Sequence, residues 1–473
     1  MRRMILLPAF VFLLLLPAAA FMGCDKDNDN GGVTCRADDC NALCVSSGYA
    51  SGSCVAGDCV CQGGGECNPA TQICQATGRL LFEARFPEID GSQQVMLGAP
   101  EILPGIGMMV AVVDGGGNVT GSILIDSEDG SFTVPLSTGL VGGESLVFAT
   151  ILAPSATSDT AYFAVLIAPS GGEPASFTAD PWTWVVSLDA GPDVGDITIT
   201  EDQGSGAMFI YLVNITAMLT ILDDILGGDP TYLTTLAVVW APGASWSCGA
   251  CYAQAPQQIS GGPQLANSIF IGGDPSDSGA WGYVVLLHEF GHFFAQNYSR
   301  DDSPGGSHTI GVPVVPPFAW SEGWASFFAL STFSRWAEEP DPLYWDIQGG
   351  SSFWINYGTA DVSAGSAISP PNPEGGMEQD LDENWVGVML WDVWDGADVA
   401  ECCEEDGTNL GTVEVLRAVV SDRFLNYNRG AEGADFVDFI DAVLCNNPGL
   451  TGSVTATVSG YEMFPYDGLP GCP

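Results

Sequence analysis

Basic side chains are nearly absent from this chain of 473 residues. Lysine and arginine together number 11 against 58 acidic residues, Lys26 is the sole lysine, and the formal net charge is −47. Nothing in such a composition can neutralise a run of phosphates, so nucleic acid is excluded as a partner. A surface of that sign suits divalent cations or a salty medium, and its plainest role is to keep an exported protein soluble. Histidine is rarer still, with three in the whole chain. Apolar material, by contrast, is plentiful. Hydrophobic residues make up 46%, which excludes a disordered chain. The length leaves room for roughly two to four domains with sizeable cores.

The three histidines all lie between positions 288 and 308. His288-Glu289-Phe290-Gly291-His292 sets two imidazoles four residues apart, on one face of a helix, where both can bind a single zinc ion. Glu289 is rotated off that face, so it can reach a water at the metal and act as general base. A chance match on a buried helix is the competing explanation, and the scarcity of histidine weighs against it. A catalytic zinc site needs a third protein ligand and an open position. The metzincin pattern would place a third histidine six residues after His292, where this chain has Tyr298. That branch is excluded.

Two candidates for the third ligand remain. Glu322 stands in Trp320-Ser321-Glu322-Gly323-Trp324-Ala325-Ser326-Phe327-Phe328-Ala329. The apolar stripe Trp324, Phe327 and Phe328 suits a second buried helix packed on the first. His308 lies instead among glycine, serine and proline in a loop. A ligand needs rigid support, which favours Glu322. His308 is then the candidate for stabilising an oxyanion, with Tyr298 the weaker one.

The N-terminus reads as an export signal over 1–23. Arg2 and Arg3 precede an apolar stretch from Met4 to Ala20. Phe21-Met22-Gly23-Cys24 resembles a bacterial lipobox, although Phe21 replaces the usual aliphatic residue. The resemblance implies a lipid on Cys24, a membrane anchor and a place in the bacterial cell envelope, or secretion if cleavage is ordinary. Asp25-Lys26-Asp27-Asn28-Asp29-Asn30-Gly31-Gly32 suits a flexible tether, here 24–34. Of 15 cysteines, lipidating Cys24 leaves an even number able to pair, and their density implies an oxidising compartment. Ala207 to Leu222 is a second apolar run. It is short, carries Asn214 and Thr216, and ends at Asp223-Asp224, so a buried helix is expected and not a membrane span.

Eight cysteines crowd into Cys35 to Cys74. The spacing of Cys35, Cys40, Cys44, Cys54, Cys59 and Cys61 resembles the cysteine-stabilised framework of defensins. That resemblance implies pairs Cys40–Cys59, Cys44–Cys61 and Cys35–Cys54, with Cys67 and Cys74 closing a separate loop of a small module over 35–78. A zinc knuckle is the rival, but the segment has no histidine. Over 79–200, short alternating runs at 108–113, 122–125, 131–134 and 146–148 read as strands of an accessory β-sandwich. There, Ile125 to Phe132 resembles the turn of carboxypeptidase-regulatory-like sandwiches. Beyond it come a helix over 207–226 and strands at 236–240 and 268–271. A helix carrying the histidines comes next, capped at Asp277 or Ser278. A strand just before a zinc helix is what zinc peptidases use to hold an extended substrate.

Together, the two motifs resemble those of the gluzincin metallopeptidases, and Glu322-Gly323-Trp324 is similar to the wording of the fungalysin-like branch. The resemblance covers Asp202 to Asp398 and is specific at the two motifs. It implies an α+β zincin-like domain over 201–473, His288, His292 and Glu322 as zinc ligands, and Glu289 as base. In many gluzincins an aspartate four residues after the ligand glutamate orients the first histidine. Here that position is Ser326, so the serine with a water, or another group, must supply the bond. Asn384 to Asp395 reads as an aromatic core helix in which Asp392 is a further orienting candidate. Asp380, Asp382 and Glu383 are candidates for calcium, though acidic runs are more often simply solvated. Cys248 and Cys251 suit a local disulfide, and Cys402, Cys403, Cys445 and Cys472 suit structural bridges. The expected function is a secreted or surface-tethered zinc endopeptidase acting on protein or peptide. The alternative is a non-catalytic binding or adhesion module with a structural zinc, against which Glu289 argues.

Overall fold

The structure, a computed structural model, describes residues 51–55, 58–62, 74–136, 140, 142–153, 162–168, 180–255, 257–258, 264–336, 341–358, 380–395, 408–429, 433–461, 466, 468 and 472. The signal sequence, Cys24, the tether, Cys402 and Cys403 lie outside them. Of the cysteine-rich segment, strands β1 (Ser51–Val55) and β2 (Asp58–Gln62) pair antiparallel with Cys54 opposite Cys59. The defensin-like pairings fall outside the described residues. Cys74 is disulfide-bonded.

The next strands are β3 (Gln75–Ala84), β4 (Pro87–Ile89), β5 (Val95–Leu97), β6 (Glu101–Pro104), β7 (Met109–Val113), β8 (Val119–Leu124), β9 (Ser131–Pro135) and β10 (Ser145–Ala149). After them come β11 (Ile151–Leu152), β12 (Phe163–Ile167), β13 (Thr183–Ser187) and β14 (Asp193–Ile199). All four strands expected from the alternating runs are present. One four-stranded sheet has the order β13-β10-β7-β8, and a second joins β14, β3 and β6 with β9 also paired to β3. Alternation along β9 buries Phe132 and Val134 and exposes Ser131 and Thr133. Those buried side chains share a core with Val110, Val112, Leu146 and Phe148, and the rings of Phe132 and Phe148 meet edge-on at 5.5 Å. In the turn before β9, Gly130 has φ +79° and a Cβ there would lie 2.3 Å from the Leu80 carbonyl, so only glycine fits.

A five-stranded sheet has the order β11-β12-β15-β19-β16. Its later members are β15 (Leu236–Trp240), β16 (Cys251–Ala253) and β19 (Ser268–Phe270), with a short hairpin β17 (Gln257–Gln258) and β18 (Gln264–Leu265) between the last two. β12, β15 and β19 run parallel and read as nearly continuous apolar segments, as strands covered on both faces do. The sheet takes strands from both sides of residue 200. Helix α1 (Ser205–Asp224) is buried almost throughout, as its sequence implied. Its polar side chains bond inward: Asn214 Nδ2 donates to the Ile210 carbonyl at 2.9 Å, and the Tyr211 hydroxyl lies 3.0 Å from the Gly107 carbonyl.

Helices α2 (Tyr283–Tyr298) and α3 (Pro316–Trp336) pack side by side, and α4 (Glu383–Asp395) packs on the far side of α3. Hairpin β20 (Leu343–Gln348) and β21 (Ser351–Asn356) rests on β4–β5, where Trp354 Nε1 donates to the Gln93 carbonyl at 3.0 Å. The last helices are α5 (Gly411–Val419), α6 (Asp422–Asn426), α7 (Phe436–Asn446) and α8 (Thr451–Thr455). Phe424 of α6 and Phe439 of α7 pack on Trp320 of α3 at 5.4 and 5.5 Å. Buried Asp441 accepts from Arg423 at 2.5 Å, from Arg429 at 2.8 Å and from the Tyr466 hydroxyl at 2.7 Å. Disulfides join Cys248 to Cys251 and Cys445 to Cys472.

Candidate metal centre

Helix α2 does not begin at Asp277 or Ser278. A 3-10 turn over Gly279–Trp281 comes first, and the α-helix starts at Tyr283 with Gly282 in the cap position. Both expected caps are engaged elsewhere. Ser278 Oγ donates to Asp346 Oδ1 at 2.5 Å, and Asp277 Oδ1 accepts from the Gly349 amide at 2.7 Å. They fasten the β20–β21 hairpin to the entrance of the helix.

Gly291 sets how closely the two central helices approach. A Cβ there would lie 2.8 Å from Ala325 Cα and 3.2 Å from its carbonyl. On the other face of α3, a Cβ at Gly323 would lie 2.6 Å from the Glu383 carbonyl. So α3 is held tightly between α2 and α4. Phe290 and Phe294 stack on Phe328 at 5.9 and 5.4 Å along the same seam. Glu322, one turn before Ala325, is thereby brought to the histidines.

His288 Nε2 and His292 Nε2 are 3.2 Å apart, and Glu322 Oε2 lies 3.3 and 3.2 Å from them. A tetrahedral zinc ion with bonds of about 2.05 Å has ligand–ligand edges of about 3.3 Å. The donor set and the spacing therefore fit zinc. Among the described residues these three form the one group with metal-ligand atoms in such proximity. Burial pushes Glu322 up, but the neighbouring imidazoles outweigh it and hold its carboxyl well below the usual range. Burial pulls His292 down, but Glu322, Glu289 and Asp301 more than offset this and bring it to about 9. Glu289 is raised by burial, against the opposing pull of the two histidines.

His308 lies outside that group. Its Nε2 is 3.5 Å from Glu322 Oε2 and 3.3 Å from Glu383 Oε2, and its ring meets Phe318 edge-on at 5.2 Å. Burial, with Glu322 and Asp382 nearby, pushes Glu383 up to about 8. A two-bond bridge between Val314 and Leu381 ties the loop of His308 to the segment that leads into Glu383. The acidic run considered for calcium is thus divided: Glu383 turns to His308, while Asp382 Oδ1 accepts from the Asn384 amide at 3.0 Å. Tyr298 does not reach the histidines. It stands six residues, about 9 Å, along the helix from His292 and ten residues, about 15 Å, from His288. Its hydroxyl accepts from the Thr234 amide at 2.7 Å. Asp392 is buried on α4, about 13 Å along the helix from Glu383.

Of the site's neighbours, Ser326 is the one the sequence points to as an orienting group, whereas Ser321, Asp301 and Tyr344 carry no local sequence signal. His288 Nδ1 is 3.1 Å from Ser326 Oγ, so the serine itself meets the first histidine. His292 Nδ1 is 3.3 Å from Ser321 Oγ, which donates to Asp301 Oδ2 at 3.1 Å. Tyr344 of β20 places its ring 6.0 Å from that of His288. The strand nearest the motif also differs from expectation. Ser268–Phe270 is interior, flanked by β15 and β16, so it offers no free edge. The edge belongs to β16. Its Tyr252 amide faces Glu289, and its Tyr252 hydroxyl donates to Asn267 Oδ1 at 2.8 Å.

No protein-family model and no curated protein matches this chain.

Proposed function

We propose that this chain is a zinc-dependent endopeptidase, exported and held at a bacterial cell envelope by a lipid on Cys24. The observation that carries the reading is the donor triangle of His288, His292 and Glu322, with edges of 3.2–3.3 Å, beside the buried carboxylate of Glu289. Three protein donors are what a catalytic zinc site uses, whereas a structural site takes four and has no use for a base. Zinc there would supply Lewis acidity to a peptide carbonyl and to a water. Glu289 takes a proton from the attacking water on its carboxylate and passes it to the leaving amine, a role suited by the upward shift that burial gives it. His308, paired with Glu383, is assigned to donate from its ring to the oxyanion of the tetrahedral carbon. Strand β16, at the edge of its sheet among the described residues and beside Glu289, supports binding of an extended chain through main-chain hydrogen bonds. Export is supported by Arg2, Arg3 and the apolar Met4–Ala20, and by disulfides that suit an oxidising compartment.

The test is Glu289→Gln. It should keep one zinc per chain and lose roughly 10²–10⁴-fold in casein hydrolysis. Unchanged turnover would refute the assignment. Chelation should abolish activity without unfolding, and zinc should restore it. Unfolding on chelation, with no activity in either state, would favour a structural metal in a binding module.

A further inference from the structure

Both ligand imidazoles are gripped from behind by hydroxyls of one helix. Ser321 and Ser326 stand on α3 on either side of Glu322 in sequence, and each meets the Nδ1 of one histidine. The two contacts end differently. Ser321 Oγ donates to Asp301 Oδ2, and a carboxylate only accepts, so the serine's lone pairs are left to receive the His292 Nδ1 hydrogen. With that hydrogen on Nδ1, the lone pair of His292 lies on Nε2, the atom 3.2 Å from Glu322 Oε2. Behind His288, the Ser326 hydroxyl bonds the buried phenol of Tyr357, a neutral group.

Asp301 is itself fixed. Its Oδ1 accepts from the Ser303 amide at 2.9 Å, which leaves Oδ2 for Ser321. Two residues earlier, Ser299 Oγ donates to the Val419 carbonyl at 2.6 Å and anchors the chain as it leaves α2. The neighbouring Asp302 pairs with Arg300 at 2.6 Å and also accepts from the Ala434 amide at 2.8 Å. The carboxylate behind His292 therefore sits in a braced turn that a lone surface aspartate would not have.

We infer that Asp301 is a positioning residue that acts on His292 through Ser321, so that the orienting carboxylate of this site serves the second histidine while the first is oriented by a neutral pair of hydroxyls. This rests on the zinc reading above. Asp301 and Ser321 act in series: removing either breaks the same link, and removing both breaks nothing more. Zinc and cobalt affinities, measured by chelator competition on the full chain, read this directly. Asp301→Asn and Ser321→Ala should each weaken binding about 10–100-fold. The double variant should be no weaker than Ser321→Ala alone, to within about threefold, because the two sites share one interaction. Ser321→Thr, which keeps the hydroxyl, should bind within about threefold of the parent. The visible bands of the cobalt form should shift in Asp301→Asn and Ser321→Ala but not in Ser321→Thr. Losses that multiply in the double variant, or an Asp301→Asn chain with parental affinity and spectrum, would overturn the inference while leaving the zinc reading intact. A parent chain that binds no stoichiometric zinc would overturn both.

Discussion

Replacing Gly291 by alanine should separate the metal-binding function from the stability of the fold. The added Cβ would lie 2.8 Å from Ala325 Cα. Carbon atoms prefer about 3.5–4.0 Å, so the helices must part by roughly 0.7–1.2 Å. Overpacking of this kind costs about 1–3 kcal/mol. Alanine also recovers about 1 kcal/mol over glycine in a helix interior. The net loss of stability should therefore be small, between about 0 and 2 kcal/mol. The metal centre has no such compensation. The atom met is the Cα of Ala325, which no side-chain rotation can move, so relief comes from parting α2 and α3 as bodies, and Glu322 is separated from the histidines. Its contacts of 3.2–3.3 Å to the histidines would open to about 4 Å, beyond the edge of a tetrahedral zinc site. Zinc affinity should fall at least tenfold, or about 1.4 kcal/mol. Competition with a chromophoric chelator measures it, and urea unfolding of the metal-free protein measures the remainder. A Gly291→Ala chain with parental zinc affinity would refute the argument that this contact sets the site.

Three further outcomes rest on the same geometry. Zinc needs neutral imidazoles, and His292 in the metal-free protein is raised to about 9. Binding at pH 7 should thus release about one proton, visible as a binding enthalpy that changes with buffer ionisation enthalpy; no such dependence would refute it. Glu383 is raised from 4.5 to about 8 in the folded metal-free protein. Its contribution to stability is complete below the unfolded value and disappears as pH rises through the folded one, so the metal-free protein should weaken between those limits. Glu383→Gln should flatten that slope, and denaturant titrations across the range will show whether it does. Finally, a fragment of residues 201–473 should not unfold cooperatively, because β15 loses its parallel partner β12 and Tyr211 loses the Gly107 carbonyl. A fragment that gives a sharp transition and binds zinc would contradict this.

What could be read in the sequence was local and periodic. His288 and His292 share a face because helices repeat every 3.6 residues, and the burial of α1 came from its unbroken apolar run. The strands around β9 announced themselves by alternation. Relations between distant segments were not legible. Nothing near Ser278 says that Asp346, remote in the chain, will take its hydroxyl, so a sound capping signal failed against a tertiary partner. That Phe163–Ile167 would add to a sheet built mainly after residue 200 depends on parallel pairing, which leaves no turn signature. The interior place of Ser268–Phe270 depended on Cys251–Ala253, a strand of three residues that is too short to show alternation. Asp301 carries no local signal in the sequence, and only its distance to Ser321 sets it apart.

Helix α3 carries Ser321, Glu322, Ala325 and Ser326, and this has a consequence for how such a chain can diverge. Each residue added to or removed from a helix rotates every later side chain by about 100° around its axis. An insertion between Ser321 and Ser326 would disengage one orienting hydroxyl and the Gly291 seam in a single step. The segment from Ser299 to Val315, which joins the two helices, is under no such constraint of phase; its demands are local, at the braced turn of 299–303, at His308 and at the Val314 bridge. Descendants of this sequence should therefore vary in length between the two motifs and hold the spacing within each. The signature to search for is the phase inside the motifs, with the distance between them left free.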